Sequence, residues 1–156
     1  MNFVAQYASC EKAHQLFYDY VKFILTRTNR YTKKKYKDDP AIMSWQIGNE
    51  PRAFSKEQLP AFEKWLGEAS KLIRSLDKNH LISIGSEGKW GCEGELNCWE
   101  RICVDKNVDY CNIHLWPYNW SWARKDHLQE DLGISCQNTK EYIDAVSYTH
   151  LRAHET

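Results

Sequence analysis

Chemistry in this chain is concentrated at the ends of apolar runs. Glu50 closes the run Ala41-Ile42-Met43-Ser44-Trp45-Gln46-Ile47-Gly48-Asn49 and is followed by Pro51-Arg52. Strand side chains alternate, so Ala41, Met43, Trp45 and Ile47 share an apolar face suited to packing under helices. Ser44, Gln46, Gly48 and Glu50 share the other face. A small, polar face that ends on a carboxylate suits the inside of a barrel whose active site lies at the carboxyl ends of its strands. On spacing alone, an ordinary strand followed by a solvated glutamate fits equally. Pro51 cannot donate to a sheet ladder, so pairing is expected to stop there. Glu87 lies near the end of a second run, Leu81 to Gly88, at a parity that points inward. His114 shares a face with Tyr110, Asn112 and Trp116, while Cys111, Ile113 and Leu115 face the other way. A single histidine in such a place is more often structural than catalytic.

Of the seven tryptophans, Trp90, Trp99, Trp116, Trp120 and Trp122 fall between residues 90 and 122. Trp120 and Trp122 sit in a polar loop after a strand, where flat rings can stack on sugars or pack in a core with equal plausibility. Helical spacing points Trp99 inward. The six cysteines form no Cys-x-x-Cys pair, and no histidine stands at zinc-finger spacing, so a metal site is not expected. Cys103 and Cys111 read as small buried hydrophobes, while Cys92 and Cys98 flank a short loop that a disulfide can close in an oxidising compartment.

These side chains need strands and helices to hold them. Phe3-Val4-Ala5 reads as a strand end, and Ser9 as the N-cap of a helix over about 10–29. The loop from Asn29 to Pro40 leads to the strand ending at Glu50. A helix starting at Ser55 or Leu59, with Pro60 in its first turn, buries Phe62, Trp65, Leu66, Ala69, Leu72, Ile73 and Leu76. The strand Leu81 to Gly88 follows. A short helix is then expected behind a capping box at Asn97 and Glu100, and after it a third strand, Val108 to Pro117. A last helix is capped by Asn138 or Thr139 and runs to about Val146. Helices alternating with strands imply a parallel sheet, in a barrel or in a doubly wound fold. No Gly-rich phosphate loop is present.

Lysine plus arginine number 21 and aspartate plus glutamate number 21, giving no net charge and no support for a nucleic-acid or anionic-membrane partner. No window holds the roughly 18 apolar residues that a membrane span needs, and Met1 to Cys10 lacks the form of a signal peptide.

The segment "DDPAIMSWQIGNEPR" resembles the fourth-strand region of the β-mannanases in glycoside hydrolase family 5. "HLISIGSEG" resembles that family's fifth strand, and "DYCNIHLWPYNW" its sixth. The similarity runs from about residue 3 to about 145. It implies an α/β fold, a partial (β/α)8 barrel made of the central βα units over residues 1–146. The tail 147–156 does not resemble the family and reads as a non-native addition. The resemblance implies a retaining endo-β-1,4-mannanase with Glu50 as acid/base, Asn49 bonding the sugar 2-OH, and His114 supporting the carboxylates. Asn49 and Glu50 have opposite parity, so the strand is expected to bend between them. Arg52, Trp90, Trp116, Tyr118 and Trp120 are implied as substrate-binding residues.

The broader family has His-x-Tyr where this chain has His114-Leu115-Trp116, so a tyrosine role there passes to a ring with an N–H and no hydroxyl. The family nucleophile belongs to a seventh strand, beyond these residues, so the chain as it stands is expected to be inactive and poorly soluble. No cofactor is implied. The implied partner is β-mannan, the full-length state monomeric, and the location secreted, periplasmic or on the cell surface. A β-1,4-glucanase of the same clan, or a carbohydrate-binding protein that kept the cleft, are the alternatives. Arg52 and the His-Leu-Trp-Pro segment favour mannan.

Overall fold

The computed structural model describes residues 3–153, with side chains up to residue 144. The chain divides into two compact units, Met1–Ile113 and His114–Thr156, a boundary inside the single domain expected over 1–146.

In the first unit, helix α1 (Glu11–Thr26) carries Glu11 in its first turn, where a negative charge favours the helix dipole. The residue before it is Cys10, not Ser9, whose hydroxyl bonds back to the Gln6 carbonyl. Phe3-Val4-Ala5 is not a strand end: Val4–Ser9 forms a 3₁₀ turn. Strand β1 (Ser44–Gln46) and strand β2 (Leu81–Ser83) pair in parallel, with Ser44 opposite Leu81 and Gln46 opposite Ser83. Between them runs helix α2 (Leu59–Leu76), with Pro60 in its first turn. Its apolar stripe recurs at helical spacing and buries Phe62, Trp65, Leu66, Ala69 and Ile73. Helix α3 (Leu96–Cys103) buries Trp99 and Ile102 and begins behind Glu95, two residues earlier than the Asn97 cap expected.

Both strands are shorter than the runs that suggested them. Met43 is exposed rather than packed under a helix. Yet the hydrogen bonds between the two segments continue beyond β1 and β2. Ile47 N donates to Ser83 O (3.1 Å), Gly48 N to Ile84 O (3.3 Å) and Glu50 N to Gly85 O (2.9 Å). The expected third strand forms no ladder among the described residues. Its start is fixed by one backbone bond and by side chains. Asp109 N donates to Ile82 O (2.9 Å), and Asp109 Oδ2 accepts from Ile82 N (2.7 Å) and from Arg74. Asn112 Oδ1 accepts from Gly85 N (3.0 Å), and Asn112 Nδ2 donates to Ser86 O (3.1 Å). Cys103 and Cys111 are joined in a disulfide, with Cα atoms 5.6 Å apart, whereas Cys92 and Cys98 are free and buried. The turn after α3 brings the 103–111 pair face to face, a juxtaposition that sequence spacing does not report.

The second unit opens with the extended segment from His114 and a turn over 117–121. Helix α4 (Leu128–Ala153) starts ten residues before the expected Asn138 cap and continues past Val146. The side chains of the expected tail 147–156 lie outside the described residues. Arg124, just before α4, donates to Asp131 in the first turn of the helix and holds that carboxyl down at about 2. Among the described residues, no helix is long and apolar enough to cross a membrane.

Candidate active site

The floor of the site is the polar face of the paired strands. Ser44 Oγ and Tyr110 OH share a 2.8 Å hydrogen bond, and Ser83 is fully buried beside them in register with Gln46. The hydrogen bond from Ser44 holds the Tyr110 phenol below its usual value. Hydroxyls in place of aliphatic groups on this face are what an interior lining of small polar side chains requires.

At the carboxyl end of β1 the backbone turns sharply. Beyond Gln46 the pairing is irregular, with the adjacent amides of Ile47 and Gly48 both donating to the neighbouring segment, so strict alternation no longer governs Asn49 and Glu50. Glu50 takes a left-handed φ of 50°, unusual for a residue with a side chain. Its amide is held by Gly85 O, and Gly85 can lie there because it has no Cβ. A side chain at Gly85, with φ 77°, would sit 1.8 Å from Gly48 O. The next contact repeats the device. Gly91 accepts at its carbonyl from Ala53 N (3.0 Å), and a Cβ on Gly91 would meet Pro51 O at 2.8 Å. Two glycines thus let two neighbouring segments press against the loop that carries Glu50. Left-handed, over-determined backbone of this kind concentrates at functional sites.

Arg52 reaches from that loop to Glu87, donating from Nη2 to Oε2 (2.7 Å) and pairing through Nε with Oε1. The Glu87 carboxylate is 1% exposed and the Arg52 side chain 41% exposed. The buried carboxylate therefore orients a guanidinium whose outer surface remains open, in the two-point geometry that arginine favours. Sequence parity put Glu87 inward but gave no sign of its partner. Trp90 lies on the 3₁₀ turn Lys89–Cys92, with its ring partly exposed, next to the Gly91 contact. Glu50, Arg52 and the Trp90 turn are thereby tied into one cluster of the first unit. Asn49 stands exposed at the bend.

The remaining expected residues belong to the second unit. His114 is half-buried, and Trp116 and Tyr118 are exposed. Trp120 N donates to Trp116 O (2.9 Å) across the turn. The Trp120 ring packs against Trp122 (4.9 Å between centroids) and Tyr142 (5.9 Å), so it contributes to that unit's small core as well as to its surface. No cluster of three metal-ligating side chains occurs among the described residues.

Residues 1–153 match the family model described as GH family 5 beta-mannosidase-like. Mannan endo-1,4-beta-mannosidase 4 of Oryza sativa subsp. japonica is 32% identical over 143 residues, covering 84% of this chain and 31% of that protein. Mannan endo-1,4-beta-mannosidase 7 of Arabidopsis thaliana is 35% identical over 124 residues, covering 72% of this chain and 29% of that protein. Among solved structures, a glycoside hydrolase family 5 mannosidase from Rhizomucor miehei superposes with a TM-score of 0.73 at 28% identity, over 96% of this chain and 34% of that one. The endo-1,4-beta-mannanase from the same organism gives 0.67 at 29% identity, over 78% and 39%. The chain spans about a third of the length of the curated relatives it matches. With its parallel β-α-β pairing, the fold is a partial (β/α)8 barrel. On its sequence and on its fold, this chain belongs to the GH family 5 beta-mannosidase-like family.

Proposed function

We propose that this chain supplies the acid/base side of the active site of a retaining endo-β-1,4-mannanase. The observation that carries the reading is Glu50 itself. It is a carboxylate at the carboxyl end of a barrel strand, on left-handed backbone pinned by Gly85, beside an arginine oriented by a buried glutamate. Retaining hydrolysis needs a carboxylic acid to protonate the leaving oxygen and a second carboxylate about 5–5.5 Å away to attack the anomeric carbon. Glu50 serves as the acid and then as the base that activates water. Asn49 bonds the sugar 2-OH, and His114 supports the carboxylates. The nucleophile comes from a barrel strand other than those seen in these residues. Arg52, Trp90, Trp116, Tyr118 and Trp120 bind the polysaccharide, a β-mannan. The complete enzyme acts as a monomer outside the cytoplasm, where such polysaccharides occur.

The test is a transplant. Residues 3–144 replace the matching third of the Rhizomucor miehei mannosidase, and the product is assayed for reducing-sugar release from mannan and from cellulose. Mannan hydrolysis well above cellulose hydrolysis is expected. Preference for cellulose would move the reading to a β-glucanase, and binding of mannan without hydrolysis would move it to a carbohydrate-binding protein.

A further inference from the structure

The segment after β2, residues 84–88, is buried, so each of its amides and carbonyls needs a partner. Two of these groups are taken by one side chain that the proposed chemistry does not use. Asn112 Oδ1 accepts from Gly85 N (3.0 Å), and Asn112 Nδ2 donates to Ser86 O (3.1 Å). A carboxamide carries an acceptor and a donor on one rigid plane, the same pair that a backbone peptide offers. Asn112 therefore replaces a ladder rung at a point where the third segment forms none among the described residues.

The place of that rung is what matters. Gly85 is the residue whose carbonyl accepts from Glu50 N (2.9 Å). Glu50 has a φ of 50°, a conformation that persists only where its surroundings fix it. Gly85 is gripped on both sides, at its N–H by Asn112 and at its carbonyl by the Glu50 amide. Ser86, the other residue that Asn112 holds, leads directly to Glu87, whose carboxylate pairs with Arg52. One carboxamide fixes the backbone that supports the acid and the backbone that carries the arginine's partner.

We infer that Asn112 is a positioning residue for the acid/base carboxylate: through Gly85 it holds the Glu50 backbone where the side chain can meet the leaving oxygen. The inference rests on the acid/base reading of Glu50. Asp109 supplies the contrast. It makes a comparable bond at the other end of β2, accepting from Ile82 N (2.7 Å), but nothing joins Ile82 to Glu50 in the way that Gly85 is joined. Asp109 is a residue of stability alone, and Asn112 adds to stability a control over the acid.

Asn112→Leu keeps the volume and removes both bonds, whereas Asn112→Asp still offers an oxygen to Gly85 N. In the transplanted enzyme, kcat/KM is measured on mannan and on an aryl β-mannoside whose dinitrophenolate leaves without a proton. Asn112→Leu should lose on the order of 10–100-fold on mannan, the scale of a misplaced catalytic group, and less than about threefold on the activated substrate. Asn112→Asp should recover most of the loss. Placed on Glu50→Gln, Asn112→Leu should cost little more on mannan, because the group it positions is already gone. Asp109→Asn should lower the melting temperature without separating the two substrates. Hydrogen exchange of the 156-residue chain gives a second readout: in Asn112→Leu the Gly85 and Glu50 amides should exchange at least roughly tenfold faster while those of α2 keep their protection. The inference fails if Asn112→Leu loses equally on both substrates, if its loss adds in full to that of Glu50→Gln, if Asp109→Asn separates the substrates as well, or if the Glu50 amide exchanges as in wild type. A Glu50→Gln enzyme with no dependence on the leaving group, beside a Glu50 amide that still responds to Asn112, would overturn the acid/base reading alone.

Discussion

At the residue scale, the loop geometry rests on a contrast between two glycines. Gly85 has a left-handed φ and no room for a Cβ, whereas a Cβ on Gly48 meets nothing nearer than Pro51 at 3.9 Å. Gly85→Ala should lower stability by at least about 2 kcal/mol and loosen the segment holding Glu50. Gly48→Ala should stay within about 1 kcal/mol of wild type. Chemical denaturation of both variants decides this, and equal losses would contradict the close-approach argument. His114→Ala, made in the transplanted enzyme, should cost activity on the order of a hundredfold with little change in melting temperature. A large melting drop with normal kinetics in the folded fraction would make His114 a packing residue. Alternation drew attention to a carboxylate at the end of a polar-faced strand, but it fitted a solvated glutamate equally and does not hold as far as Glu50, where the backbone has turned. The Arg52–Glu87 pair was not legible, because its members are 35 residues apart and meet only through the parallel pairing. The positive φ of Glu50 was likewise hidden, since neither Asn49 nor Pro51 announces it.

At the element scale, the end of α2 is fastened to the start of both strands by one buried cluster. Trp45 Nε1 donates to Asp77 Oδ2 (2.6 Å), and Asp77 Oδ1 accepts from the amides of Asn79 (2.8 Å) and His80 (3.1 Å). His80 Nδ1 pairs with Asp77 Oδ2 (2.7 Å), and His80 Nε2 donates to the Asp39 carbonyl (3.0 Å). A carbonyl only accepts and a carboxylate only accepts, so both ring nitrogens face acceptors, an arrangement that favours the protonated ring. Burial pushes the His80 value down, but the Asp77 and Asp39 contacts outweigh it and raise it above 6.5. Burial pushes Asp77 up, but Trp45, His80 and the two amides outweigh it and hold it below 3.8.

The raised histidine adds stability that is complete below pH 6.5 and is lost as pH rises through its folded value. The depressed aspartate adds stability that is present above pH 3.8 and is lost as pH falls through its folded value. Denaturation midpoints should therefore peak between these limits and decline on both sides. In His80→Gln the alkaline decline should flatten, and an unchanged alkaline limb would assign it to other groups. The helices were legible because their stripes are periodic, as in α2. The strands were overestimated because long apolar runs continue through segments whose hydrogen bonds are irregular. The third, expected over Val108 to Pro117, forms no ladder among the described residues because the Asp109 and Asn112 side chains accept from the Ile82 and Gly85 amides in place of backbone carbonyls.

At the scale of the whole molecule, a part of a barrel exposes surface that a closed barrel covers. Leu16, Tyr20 and Phe23 form an exposed stripe on α1, and Met43 stands exposed before β1. Contiguous apolar surface of this kind drives association. Sedimentation velocity of the isolated chain should show concentration-dependent self-association, relieved in a Leu16→Glu/Phe23→Lys variant. A wild-type chain that stays monomeric over the whole concentration range would contradict this. Family and barrel class were legible because three strand-end segments occur in order with helices between them. The division at Ile113 was not, because the run from Val108 to Pro117 reads as one uninterrupted strand.

The central claim is that Glu50 delivers the proton to the leaving oxygen, and one comparison of substrates tests it most directly. In the transplanted enzyme, kcat/KM of Glu50→Gln is measured on mannan and on an aryl β-mannoside whose dinitrophenolate leaves without protonation. Loss of the proton donor should lower turnover of mannan by roughly 10²–10⁴ while the activated substrate transfers its mannosyl group to the nucleophile and releases dinitrophenolate at near the wild-type rate. Equal losses on both substrates, or mannan turnover within tenfold of wild type, would remove Glu50 from the acid/base role.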